Sequence, residues 1–246
     1  MNAKTLACRH PIAARSATAA VITALIASLC TALPALADDT PAFSPAERAL
    51  FLEDQFSTVK PPTTLRYAFR KSGSLEAGFD DRVALSLKPQ ADGSCCATSS
   101  EFLSGPRAMR MPDIEAAKGN PVTMYFLERD VREMERLTKG KAYHFRKQVR
   151  MAIAESAKVR DVSLSFNGKP IAAREVTITP FATDPNRPRF EKYANKDYVF
   201  LLSDAVPGGV FGIRTEMIDA TPGAPPLIVE ELWVEGADKP AASAPK

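Results

Sequence analysis

Histidine is almost missing from this chain, with His10 and His144 the only two among 246 residues. Histidine-rich metal sites are therefore excluded, and past the N-terminal leader any Ser-His-Asp or Cys-His mechanism has His144 alone to move its proton. Cysteine is also scarce, at four. Tetrahedral zinc ligation would need two ligands beyond the adjacent Cys95 and Cys96, and no Cys-x-x-Cys pair supplies them, so no metal is expected. Adjacent cysteines close no chain loop of the kind that staples small secreted domains, which leaves stability to packing. Gly-x-Ser-x-Gly elbows, P-loops, calcium loops and dinucleotide fingerprints are all absent, and no cofactor is expected. No repeat of solenoid period is present.

A surplus of one charge is missing as well, once the N-terminus is set aside. Lys4, Arg9 and Arg15 precede an uncharged apolar stretch from Ala17 to Leu36, and Ala35-Leu36-Ala37 stands before Asp38. That is the pattern of a signal peptide over residues 1–37. It holds three of the 32 basic residues and none of the 29 acidic ones, so the rest of the chain carries 29 of each. A neutral domain lacks the field that draws proteins to nucleic acid, and no nucleic-acid binding is expected. At about 20 residues the apolar stretch could anchor in a bilayer. Pro34 and the Ala-Leu-Ala site suit a peptidase better, and Leu29 before Cys30 is not the small residue that lipoprotein processing needs. The expectation is a periplasmic or secreted protein with no membrane span after cleavage.

The remaining 209 residues suffice for one domain, expected over 38–238, with a Pro/Ala/Ser-rich disordered tail at 239–246. Ser44-Pro45-Ala46-Glu47 reads as a capping box opening a helix to about Phe56, which Pro61-Pro62 closes off. Leu65, Tyr67 and Phe69 alternate with Arg66, Ala68 and Arg70, the period of a strand buried on one face. Strands follow around Val83, Leu85 and Leu87, then from Cys95 to Leu103 after the Asp92-Gly93 turn, then from Arg107 to Met111. The period then changes. Asn120 and Pro121 start a helix that Gly140 stops, and a second runs from about Lys141 to Glu155, making a helical insertion at 120–155. Strand periodicity returns with Val162, Leu164 and Phe166, turns at Asn167-Gly168, and continues from Ala172 to Thr179. A long polar loop, Thr183 to Asn195, precedes three closing strands: Asp197 to Leu202, Val210 to Asp219 and Leu227 to Glu235.

Candidate functional residues are few. His144 sits among Lys139, Lys141, Arg146 and Lys147, whose charges discourage an imidazolium, so it reads as a boundary histidine and not a catalytic base. A serine or carboxylate within its reach would instead point to a hydrolase. Cys95 and Cys96 should face opposite sides of a strand, and three arrangements are open as a redox site: free thiols with one buried, a vicinal disulfide, or a bridge between molecules. The acid pairs Asp80-Asp81 and Glu230-Glu231 read as solvated, since adjacent strand residues diverge and cannot form a glycosidase dyad alone. Met124, Leu127, Val131 and Met134 form an apolar helical stripe that would bound a ligand cavity. Arg129, Arg132, Arg136, Arg146, Lys147 and Arg150 could contact an anionic group, although Glu128, Asp130, Glu133 and Glu135 interleave with them.

The capped helix Ser44 to Phe56, the hairpin Leu65-Arg66-Tyr67 to Val83-Ala84-Leu85 and the closing strand Glu230-Glu231-Leu232-Trp233-Val234 occur in an order that resembles the LolA/LolB-like periplasmic carriers. That resemblance implies an incomplete β-barrel wrapped over helices and holding an acyl chain; the paired helices at 120–155 are an addition to it. The expected fold is α+β: a strongly curved antiparallel sheet of eight or nine strands with helices on its concave face, leaving an apolar hollow between the layers. The expected function is noncatalytic binding of a hydrophobic or amphipathic envelope molecule, a small molecule or lipid. The alternatives are an envelope protein-interaction module working through an exposed sheet edge, and an unrecognised hydrolase.

Export should remove the leader, so N-terminal sequencing of the secreted protein should read Asp38 first. An intact leader, or lipid on Cys30, would overturn the assignment of compartment.

Overall fold

A computed structural model describes residues 43–239. The expected signal peptide with its cleavage site, and the expected tail beyond Lys239, lie outside the described residues.

Strand alternation builds one antiparallel sheet. Its strands are β1 (Thr63–Ser72), β2 (Phe79–Pro89), β3 (Cys95–Phe102), β4 (Lys158–Phe166), β5 (Lys169–Ile178), β6 (Lys196–Leu202), β7 (Val210–Met217), β8 (Ile228–Val234) and β9 (Ala237–Asp238), in the spatial order β3-β2-β1-β8-β7-β6-β5-β4-β9. The sheet is not closed into a barrel: β3 and β9 end it. In β1 the side chains of Leu65, Tyr67, Phe69 and Lys71 are buried while Arg66, Ala68 and Arg70 are exposed. The α+β class and antiparallel sheet expected from the sequence are what the chain forms.

The helices are α1 (Pro45–Glu47), α2 (Val122–Thr138), α3 (Ala142–Glu155) and α4 (Glu191–Ala194). The capping box forms as expected: Ser44 Oγ accepts the Glu47 N–H at 3.1 Å, and the Glu47 carboxylate accepts the Ser44 N–H at 2.8 Å. The helix does not reach Phe56. It widens into a π-helical turn over Arg48–Leu52, and Glu53 turns extended. Gln55 is instead drawn into the core, where its Oε1 accepts the Asn120 N–H at 2.7 Å. Asn120 in turn donates to Tyr67 Oη and to the Gly208 carbonyl, both at 2.8 Å, and so ties the entry of α2 to the sheet. At the other end of α2, Lys139 and not Gly140 takes the left-handed cap conformation, at φ 58°.

Two further expectations fail locally. Arg107 to Met111 is not a strand: Gly105–Arg107 forms a tight turn around Pro106, Pro112 removes a second donor, and only Met109 bridges to Phe102. The loop from Thr183 to Asn195 carries α4 and a short turn at Arg187–Arg189.

Sheet alternation also separates two cores. Tyr198, Phe200 and Leu202 of β6 face α2 and α3, whereas Leu201 packs on the other face with Val206, Phe211 and Trp233. That second cluster is enclosed where β8 passes through Gly236 into β9, which pairs with the end of β4. Gly212 stands opposite Trp233, and a Cβ there would lie 2.2 Å from the indole. Glycine makes room for the ring.

The apolar hollow expected between sheet and helices is filled. Phe69, Phe126, Met134, Phe145, Phe181 and Phe200 are fully buried there, and beside them lie charges. Asp130 accepts hydrogen bonds from Lys196 and, at 2.5 Å, from Tyr198 Oη. Arg129 donates to Glu230 at 2.6 Å and lies over the Phe69 ring at 4.8 Å. Glu133 accepts from Lys71 at 2.5 Å. Glu230 is therefore not on a solvated face, as its pairing with Glu231 had implied, but fully buried.

A buried pair is costly to break and cheap to replace whole. Lys196→Met and Asp130→Leu should each lower stability by about 3–5 kcal/mol, and the double variant by much less than their sum. Additive losses in urea denaturation would show that the two charges do not act as a pair.

Candidate functional site

With the middle of the space under α2 packed, and the recess at its flank lined by the charges of Lys71, Glu76, Arg129, Glu133 and Arg136, the apolar cavity of interest lies on the helix side. Residues on α2 three and four apart share a face. Phe126, Asp130 and Met134 face the sheet, which leaves Met124, Leu127, Glu128, Val131 and Arg132 toward α3 and the N-terminal helical segment. On α3, Val149 and Ile153 are buried toward α2, with Arg146 and Arg150 at the surface. Glu47 and Phe51 come from the N-terminal segment, and Arg110, Met111 and Pro112 from the chain after β3. Together they surround a cavity of about 650 Å³.

Its floor is apolar. Met111, Tyr125, Val131, Val149 and Ile153 are all buried, while Met124 is half exposed at the opening. Tyr125, the polar group in the floor, donates its hydroxyl to the Pro112 carbonyl at 2.7 Å. Its phenol is pushed up by burial and by the charge of Asp113, so it keeps its proton. Charge is confined to the rim: Arg110, Arg132, Arg146 and Arg150 against Glu47 and Glu128. Glu128 is taken by two guanidinium groups, Arg132 at 3.1 Å and Arg146 at 2.9 Å. Glu47 is held by its capping box.

Three of the four residues in the predicted apolar stripe, Met124, Leu127 and Val131, line this cavity. Met134 points the other way, into the core beneath α2, with no exposure. The six predicted cations divide similarly. Arg132, Arg146 and Arg150 stand on the rim, and Lys147 is exposed on α3 outside it. Arg129 is buried against Glu230, and Arg136 is gripped by Glu133 at 2.9 Å and Glu76 at 2.6 Å. Sequence reasoning missed Arg110, Tyr125, Val149 and Ile153 in the lining. Val149 and Ile153 carried a signal, since they share the apolar face of α3.

Cys95 and Cys96 are joined as a vicinal disulfide across a cis peptide bond, one of the three arrangements left open. Cys96 is fully buried in the main core. His144 Nε2 lies 2.6 Å from the buried Asp184 carboxylate, between the rings of Phe145 and Phe190. A carboxylate is thus within its reach, but neither residue lines the cavity. The contact clasps α3 to the chain before α4. Among the described residues no group of three or more His, Cys, Asp or Glu side chains is placed to hold a metal ion, and no helix is long and apolar enough to cross a membrane.

The sheet edges are guarded. Thr98 and Phe102 of β3 bridge to Ile114 and Met109, so the following chain covers that edge. The open side of β4 carries Lys158, Arg160 and Asp161, charges that discourage strand addition.

No protein-family model matches the chain, and no curated protein matches it. Among solved structures, the lipoprotein LppX of Mycobacterium tuberculosis is similar over 75% of this chain and 91% of its own, with 9% identity and a TM-score of 0.29. A LolA superfamily protein from Nitrosomonas europaea is similar over 77% of this chain and 90% of its own, with 12% identity and a TM-score of 0.18. The second bears the name of the superfamily that the order of elements resembles. Likeness at such scores carries no assignment of function, which has to come from the cavity.

The ion pairs under α2 make stability depend on acid. Burial alone would raise the Glu133 carboxyl, but hydrogen bonds from Arg136 and Lys71 and the charges of Lys71 and Arg129 outweigh it and hold the group at about 2, against an ordinary 4.5. A depressed folded pKa stabilises above the unfolded value and is lost below it. The melting temperature should therefore fall as pH drops from about 4.5 toward 2. Glu133→Gln should flatten that decline. Asp81, held at about 2 against burial by Ser104, Arg82 and Arg107, preserves part of it. Parallel pH profiles for wild type and Glu133→Gln would show that Glu133 contributes nothing to it.

Proposed function

We propose that this chain is a noncatalytic binding protein for a hydrophobic or amphipathic molecule, held between α2, α3 and the N-terminal helical segment. The observation that carries this reading is the cavity itself: about 650 Å³ with a buried apolar floor whose one polar group is already hydrogen-bonded. Small-molecule pockets run from about 300 to 1,000 Å³ and are lined mainly by apolar side chains. An apolar ligand there would gain about 25 cal/mol for each Å² it removes from water. The leader puts the binding in the cell envelope, after export. The interaction-module alternative draws less support, because one sheet edge is covered and the other is charged. A hydrolase reading has the His144 and Asp184 pair in its favour, but the pair stands apart from the cavity.

Blocking the cavity tests this. Leu127 is half-buried in its wall, so Leu127→Trp can fill the space while α2 stays anchored by its ion pairs. The uncharged fluorophore N-phenyl-1-naphthylamine should bind the wild type with enhanced emission and bind a folded Leu127→Trp variant at least about tenfold more weakly. Equal binding by both would remove the cavity as the site.

A further inference from the structure

The rim of the cavity says what the ligand's head must be. We infer that the molecule bound is a single-chain amphiphile with an anionic head, its chain on the apolar floor and its head within reach of Arg110 or Arg150. This rests on the binding reading above.

The floor offers no free hydrogen-bond donor to a polar head, because the Tyr125 hydroxyl already donates to the Pro112 carbonyl. A head group buried there would be left without partners, a cost that confines it to the opening. At the opening, four guanidinium groups face two carboxylates. Both carboxylates are engaged: Glu128 by Arg132 and Arg146, and Glu47 by the Ser44 amide. Arg110 and Arg150 are exposed, and among the described residues neither has a carboxylate within ion-pair distance. They come from different segments of the lining, one from the chain after β3 and one from α3. An anion within reach of either would gain charge-assisted hydrogen bonds, while a cationic head would meet repulsion.

Carboxylate and phosphate heads share this chemistry, so both belong in the test. Binding of dodecanoate, dodecyl phosphate and dodecanol is measured by displacement of N-phenyl-1-naphthylamine from wild type and from the double variant Arg110→Gln/Arg150→Gln. Both positions are exposed, so the fold should survive the change. In wild type the better anion should bind at least about tenfold more tightly than dodecanol, and the gap should narrow as salt is raised. In the double variant the gap should close to about twofold, chiefly through weaker binding of the anions. Whichever of dodecanoate and dodecyl phosphate binds more tightly names the head. If all three displace the probe equally from wild type, or if the double variant keeps the preference, the anionic head is overturned while the cavity stands. If none displaces the probe, the cavity reading falls and this inference with it.

Discussion

Asp130 and Lys196 meet where neither reaches water, and their pairing fixes where α2 lies on the sheet. One turn further along the helix Glu133 takes Lys71, and on the flank Arg129 takes Glu230. These partners sit on β6, β1 and β8, so three strands are read at once. Sliding α2 by a single turn, about 5.4 Å, would strand each of these charges in a low-dielectric interior. Apolar packing alone would tolerate such a slip far better, because Phe126 and Met134 meet aliphatic and aromatic neighbours in either register. The charges therefore specify the placement of the helix more than they add to its stability.

That placement decides where an apolar ligand can go. A curved sheet under helices leaves a hollow only if the inner side chains are too small to fill it. Here Phe69, Phe126, Phe145, Phe181 and Phe200 occupy it together with the ion pairs. The same ion pairs hold the opposite side of α2 at a set distance from α3, where Met124, Leu127 and Val131 face Val149 and Ile153 without closing the gap. The cavity is thus a consequence of anchoring the helix from below, and occupying it need not disturb the sheet.

Much of this was legible, and the illegible part has a physical reason. Leu65, Tyr67 and Phe69 announced β1, and the same alternation continues to Lys71, so a lysine stood in phase with the core. Glu230 likewise falls in phase with Ile228 and Leu232, and Asp130 lies four residues from both Phe126 and Met134. A charge in core phase is a signal for a buried pair. What the sequence does not carry is the partner, since Asp130 and Lys196 are 66 residues apart and join elements with two strands, β4 and β5, between them in chain order. Reading Glu230-Glu231 as a unit hid the signal, because adjacent strand residues face opposite sides and only one of them can be solvated. The early end of the N-terminal helix was hidden for a similar reason: Gln55 leaves the helical path to meet Asn120, a contact made across 65 residues.

Ion pairing within the fold sorts the basic run that seemed, as a list of residues, to be one patch. Arg129 and Arg136 fall on the side of α2 that Glu230, Glu133 and Glu76 neutralise, and their charge is spent within the fold. Arg132 lies in the same helical phase but is exposed and pairs with Glu128, whose carboxylate Arg146 of α3 shares. Net neutrality of the chain beyond residue 37 therefore conceals local differences. The acidic side chains beneath α2 are met by Lys196, Lys71 and Arg129, while Arg110, Arg132, Arg146 and Arg150 stand around the apolar cavity beside α3. A field of that kind is local, screened within about 10 Å at 0.1 M salt, and too small to recruit a polyanion. It is matched in scale to the head of one small amphiphile.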